Sequence, residues 1–390
     1  MLIAIGMMFI VGISLKRIFE WFKLPGLLGL MVTGIILGPM VLNLFPQAFM
    51  DVANPLRQIA LIIIIFRAGL GLNIKQLIKN KRAVILLSFV PALFEIFAII
   101  ILATTFLNLE VLDAAILGCV LAAVSPAVLV PSMLKLIKEK YGAKKGIPDM
   151  IMSAASVDDI FVISIFLALI TLKTNNTAVD LSVLFKIVST IVLGIFLGYL
   201  SGKVFNVISK YLKLSNIYVA LSFLGYFLIL TELESILAPI LSFSSLLAIM
   251  SFGVVIEESV KIQVNHIFDK GWSIFEIVLF VLIGSQLNLN YLGIYSLYLI
   301  LFIILGALII RIGGVFVSLI GSPLNQKEKL FVALSYTPKA TVQAAIGPIP
   351  IAMGISSGSL ILTFAIIAIL VTAPLGYFLI NISYKRLLTQ

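Results

Sequence analysis

Val124-Ser-Pro-Ala-Val-Leu-Val-Pro131 interrupts a run, residues 111–137, that is otherwise apolar enough to cross a membrane. Each proline removes a backbone donor and crowds the preceding helical turn. Backbone groups freed at membrane depth are tolerated only inside protein or around a watery cavity. A second stretch, Ser335-Tyr-Thr-Pro-Lys-Ala-Thr-Val-Gln343, repeats the interruption in another apolar run. Two broken helices at similar depth predict a membrane protein with a site inside it.

Working outward, the composition agrees. The 390 residues are 62% hydrophobic and 11% charged, with a mean hydropathy of +1.22. A soluble chain of this length carries about 25% charged residues. Continuous apolar runs, in place of alternating ten-residue segments, point to helices and away from a β-barrel. The expected fold is an all-α polytopic membrane protein with about thirteen spans. They lie near 2–21, 26–42, 57–74, 83–107, 111–137, 150–172, 182–209, 214–231, 236–257, 273–288, 293–320, 328–353 and 358–382. The first span reads as a retained helix, because no basic region precedes it and no small-residue cleavage site is evident.

The net charge of +10 does not imply nucleic acid, because the basic residues sit in short connecting loops. With the N-terminus outside, 21 of the 27 Lys and Arg fall on the inner side, among them Lys135, Lys138, Lys140, Lys144 and Lys145. The positive-inside rule then sets an N-out, C-in topology. The single Cys119 and single His266 exclude an internal disulfide and leave no Cys- or His-based metal centre; His266 reads as a loop residue. No nucleotide-binding motif is present, so ATP-driven transport and enzyme chemistry have no support. The fifth and twelfth segments run in opposite directions across six intervening spans. This spacing fits two inverted six-helix repeats around a linking seventh helix, a common plan of secondary transporters.

The chemistry centres on Ser153-Ala-Ala-Ser-Val-Asp-Asp-Ile-Phe-Val-Ile-Ser164. A charge at mid-bilayer costs about 2.5–3.5 kcal/mol on insertion scales. Successive helical residues point about 100° apart. Asp158 and Asp159 therefore cannot share one partner; one faces a cavity while the other meets a neighbouring helix. A carboxylate in such surroundings can exchange a proton for a hard monovalent cation, with hydroxyls and the carbonyls of a broken helix as further ligands. The bland alternative is a permanent ionic brace. Lys339 lies about ten mostly apolar residues from either end of its span, too far to snorkel easily, and is the natural partner of one aspartate. Glu95 and Arg311 are single charges in apolar runs and form a second candidate pair, equally well read as a brace. Arg67 can snorkel, and Glu257 and Glu258 sit at a helix end.

These same residues carry a resemblance. Leu24-Pro-Gly-Leu-Leu-Gly with Gly34-Ile-Ile-Leu-Gly-Pro39, Arg67-Ala-Gly-Leu-Gly-Leu72, Ser125-Pro-Ala-Val-Leu-Val-Pro-Ser-Met133, Ser156-Val-Asp-Asp159 and Thr337-Pro-Lys-Ala-Thr-Val-Gln-Ala-Ala345 are similar to the sodium/proton antiporter (NHA) group. That group belongs to the monovalent cation:proton antiporters. The similarity runs from about residue 24 to residue 350. It implies an NhaA-like antiporter fold with two crossing broken helices, and a homodimer with lipids at its interface. It further implies core helices near 83–172 and 293–382, dimerisation helices near 1–74 and 214–288, and a linker near 182–209. By the same resemblance Asp158 and Asp159 form the sodium (or lithium) and proton site, with Asp159 binding cation and proton in alternation and Asp158 pairing with Lys339, and Ser125 and Thr341 lie at the crossing as further ligands. Glu95 and Arg311 match charged core positions. The implied function is sodium/proton antiport by alternating access in the cytoplasmic membrane, with no resident cofactor. Potassium/proton exchange is the nearest alternative, and a non-transporting sensor or channel the more distant one.

Overall fold

The computed structural model describes residues 2–71, 81–175, 181–211, 215–237, 241, 243–287 and 297–390. Among the described residues the regular secondary structure is helical, without strands. In chain order the helices are α1 (Leu2–Trp21), α2 (Gly26–Leu37), α3 (Gln47–Asp51), α4 (Ala53–Gly71), α5 (Lys81–Leu107) and α6 (Val111–Ala122). They continue with α7 (Pro126–Lys138), α8 (Ile147–Asn175), α9 (Leu181–Tyr211), α10 (Asn216–Leu237), α11 (Ser245–Val255) and α12 (Glu258–Gly284). The last are α13 (Leu297–Ser318), α14 (Gln326–Ser335), α15 (Thr341–Ile346), α16 (Ile349–Ala352) and α17 (Gly358–Leu387). Among the described residues, nine helical stretches are long and apolar enough to cross a membrane, and three shorter apolar helices accompany them. The chain is an all-α, multi-pass membrane protein.

Two compact units divide it. The first comprises Met1–Phe49, Asn73–Thr174 and Phe280–Gln390, the second Met50–Leu72 and Asn175–Leu279. The division places residues 1–49 with the segments expected to form the core.

In the first unit, α5 packs along α13 and α6. The approach of α5 and α13 is close: a Cβ on Gly314 would lie 2.9 Å from Pro91 Cα, so only glycine fits there. The last helix, α17, contacts α6, α7, α14 and α15, and 16 of its 30 residues are buried, which makes it the post around which the broken helices assemble. At one end of this unit an apolar cluster that includes Leu136, Ile147, Phe331, Tyr384 and Leu388 is buried. The backbone N–H of Gly142 donates to Thr389 O at 2.8 Å, pinning the chain end there.

In the second unit, α11 packs against α9 and α4. A ring cluster fills the centre, with Phe66 4.9 Å from Phe227 and 4.7 Å from Phe268 between ring centres. Arg67, expected to snorkel, instead pairs with Asp269 at 2.6 Å and stands 5.7 Å from the Trp272 ring centre. Asn206 holds the junction of α11 and α12, donating to Val255 O and accepting from Glu257 N, each at 3.1 Å.

One stretch differs from its expected form. Residues 258–272, expected as a connection holding His266, form the first half of the continuous helix α12, and His266 is exposed on it. Hydropathy locates the part of a helix that lies in hydrocarbon, not the place where the helix ends.

Candidate cation and proton site

The break in the fifth segment is short. Ala122 ends α6, and Ala123 (φ −76°, ψ 144°) and Ser125 (φ −83°, ψ 112°) are extended. Pro126 then opens α7. A proline at the first helical position loses no hydrogen bond, since that N–H is unpaired in any helix. Pro131, expected to share in the interruption, lies within α7; the break sits upstream of Pro126. In the twelfth segment α14 ends at Ser335 and α15 begins at Thr341, leaving residues 336–340 outside both helices.

The two breaks touch. Ser125 N donates to Pro338 O at 2.8 Å. The second break is also held from α17, where Thr372 Oγ1 accepts from Lys339 N at 3.1 Å. One turn along α17, a Cβ on Gly376 would meet Pro338 Cδ at 2.6 Å. Glycine there lets the non-helical backbone lie directly on the helix.

A helix that ends inside the protein leaves its last carbonyls without partners, and its C-terminal end carries partial negative charge. Three successive carbonyls at the end of α6 and its cap are met by side chains from other segments. Lys339 Nζ donates to Leu121 O at 2.5 Å, Arg311 Nη1 to Ala122 O, and Gln343 Nε2 to Ala123 O at 2.8 Å. On the other side of the break, Val124 N donates to Asp158 Oδ2 at 3.1 Å.

The charges form a chain across four segments. Arg311, from α13, reaches Glu95 of α5 at 2.8 Å and Asp158 of α8 at 2.9 Å. Glu95 also pairs with Lys339 at 2.7 Å. Glu95, Asp158, Arg311 and Lys339 are each no more than 1% exposed. The Arg311 guanidinium lies 5.5 Å from the Tyr336 ring centre, an arrangement that further favours a desolvated cation. The expected Glu95–Arg311 pair is present. The expected partner of Asp158 is not: Arg311 occupies that place, and Lys339 faces Glu95. The planar guanidinium carries donors in a fork that can serve two carboxylates and a carbonyl together. The ammonium of Lys339 is a compact donor already placed between Glu95 and Leu121 O.

Two acids and two bases thus cancel, and Asp159 remains. It is 5% exposed. Among the described residues no ion pair reaches it, and its Oδ1 has no hydrogen-bond partner. Ser125 and Thr341, one in each interrupted segment, are 0% and 1% exposed, and their hydroxyls likewise lack hydrogen-bond partners. Of the residues that reading the sequence singled out, Glu95, Ser125, Asp158, Arg311, Lys339 and Thr341 line the crossing or its charge chain, with Asp159 beside Asp158 on α8. Arg67 belongs to the second unit. Tyr336, Gln343 and Thr372 were missed. Gln343 stood inside a quoted motif, and a polar Thr372 in an apolar run was the available signal for the other contact to the break.

Interrupted helices meeting around a buried, acid-bearing centre are a plan found in membrane transporters. Comparison with known proteins narrows it. The family described as "Sodium/hydrogen exchanger, transmembrane" matches residues 5–381. Sodium/hydrogen exchanger 9B2 of Homo sapiens is 34% identical over 387 residues, covering 94% of this chain and 70% of the relative. The 9B2 protein of Xenopus tropicalis is 35% identical over 395 residues, covering 97% and 72%. In structure, the sodium proton antiporter MjNhaP1 from Methanocaldococcus jannaschii superposes with a TM-score of 0.86. That match has 22% identity and covers 100% of this chain and 99% of that one. The chain belongs to the sodium/hydrogen exchanger family.

Proposed function

We propose that this protein exchanges sodium, or lithium, for protons across a cell membrane, and that Asp159 is the group both ions use. One observation carries the reading: Asp159 is the single acid of the buried cluster left without a countercharge among the described residues. A buried, uncompensated carboxylate is costly. It is relieved by binding a proton or by binding a cation, and the two exclude each other at one carboxylate. Competition of this kind is the chemical core of antiport. The hydroxyls of Ser125 and Thr341 are suitable oxygen ligands for a hard cation.

Asp158 plays a different part. Its Oδ2 is held by Arg311 and by Val124 N, so it fixes α8 to the first break. Lys339 and Glu95 brace the second break against α6 and α5 in the same way. Access to Asp159 alternates between the two sides of the membrane as the segments 83–172 and 293–382 move against a dimer formed by 1–74 and 214–288, with 182–209 as linker. The working unit is a homodimer with lipids at its interface. The N-terminus is outside and the C-terminus cytoplasmic, which puts the basic loops on the inner side.

The names of the relatives favour sodium over potassium. Purified protein in proteoliposomes, with a pH-sensitive dye inside and an imposed proton gradient, tests the choice. Sodium and lithium should discharge the gradient. Discharge by potassium alone would make the protein a potassium/proton exchanger, and no discharge by any of the three, in folded protein, would overturn the antiporter reading.

A further inference from the structure

The Gln343 amide, which meets the end of α6, is fully buried, at 0% exposed. Its Nε2 donates to Ala123 O at 2.8 Å and lies 3.5 Å from Leu121 O. Those bonds fix the orientation of the amide plane. They leave Oε1 inside the protein with no hydrogen-bond partner. An unpaired buried polar atom costs about 1–3 kcal/mol, and an apolar side chain of the same shape would avoid that cost. Atoms of the crossing and its charge chain in the same condition are the Oδ1 of Asp158 and of Asp159, the hydroxyls of Ser125, Tyr336 and Thr341, and Arg311 Nε. All but the last are oxygens, the ligand type that a hard cation takes. Gln343 stands two residues after Thr341 in the first turn of α15. Its donor bond to Ala123 ties it to the break that contains Ser125.

We infer that Gln343 is a specificity residue of the cation site. Its amide N–H₂ clamps the end of α6, and its Oε1 supplies a neutral oxygen ligand to the transported ion. The inference rests on the antiporter reading above and adds a ligand to it. A neutral oxygen contributes to cation binding and nothing to proton binding at Asp159, so its loss falls on one side of the competition.

Two variants separate the halves of the claim. Gln343→Met keeps the length of the side chain and removes both the donor and the oxygen. Gln343→Glu keeps an oxygen and removes the donor. Sodium- and lithium-driven proton flux is read in proteoliposomes as KM and as rate at saturating cation. The expected result for Gln343→Met is a KM for sodium raised about tenfold, equivalent to about 1.4 kcal/mol of lost binding, with the rate at saturation held within about twofold. Gln343→Glu should bind sodium at least as well as Gln343→Met, with KM moved back toward the original value. An unchanged KM in Gln343→Met, in protein that elutes as a folded species, overturns the inference. So does a Gln343→Glu variant as impaired in KM as Gln343→Met, since the clamp alone would then matter. Failure of the unaltered protein to exchange sodium at all would instead sink the antiporter reading.

Discussion

Arg311 donates to Asp158 at 2.9 Å through one guanidinium nitrogen while its other nitrogen holds Glu95 at 2.8 Å. One cation thereby commits Glu95 and Asp158, and no described ion pair commits Asp159. Asp158 and Asp159 are adjacent in sequence and equal in chemistry, and this contact gives them unequal surroundings.

Removing Arg311 leaves Asp158 without its countercharge and Glu95 with Lys339 alone. Breaking a buried pair from one side costs about 3–5 kcal/mol. Arg311→Gln is expected to lower the thermal unfolding midpoint in detergent strongly. Arg311→Lys should recover little of the loss, because one ammonium cannot serve Glu95, Asp158 and Ala122 O together. A Lys variant as stable as the parent would contradict the bridging role.

Substituting the two aspartates separates structure from transport. Asp158→Asn loses the ion pair with Arg311 and is expected to destabilise. Asp159→Asn removes a charge that has no partner and is expected to leave stability unchanged or raised. A ligand that binds only the folded state raises its stability, so sodium should raise the unfolding midpoint of the parent and of Asp158→Asn, and leave Asp159→Asn unmoved. A sodium-dependent shift in Asp159→Asn would remove Asp159 from the site.

Gly376 tests the seating of the second break. Gly376→Ala places a methyl within 2.6–2.8 Å of Pro338 atoms, and overpacking of this kind costs about 1–3 kcal/mol. The residue is remote in sequence from every charged group of the site. Slower exchange with a lowered midpoint is the expected outcome; unaltered exchange and stability would show that Pro338 does not rest on α17.

Glu95 couples to both cations. The effects of Glu95→Gln and Lys339→Gln on unfolding free energy should not add when combined, because each single change already breaks the same pair. Additive losses in the double variant would place the Lys339 contact elsewhere.

Much of this was legible in residues 124–131 and 335–343. Proline in an apolar run removes a backbone donor and disfavours a regular helix, so the two breaks could be expected without coordinates. Their exact extent could not, since Pro126 fits the first position of a helix and Pro131 is accommodated inside one. The buried charges were legible by the same logic of cost. Their pairing was not: which base meets Asp158 depends on how α5, α8 and α13 lie beside the breaks, and on the reach of a guanidinium compared with an ammonium. Gln343 escaped notice because a single amide in a polar motif has no expense that sequence alone reveals. Its meaning comes from a donor that is bonded and an oxygen that is not.

The central claim is that protons and sodium share Asp159, and the most direct measurement compares Asp159→Asn with the parent protein in proteoliposomes. Both are reconstituted to equal folded amounts, a proton gradient is imposed, and sodium is added with the membrane potential clamped. Discharge of the gradient by the parent and none by Asp159→Asn is the expected result. Discharge by Asp159→Asn at the parent rate would contradict it.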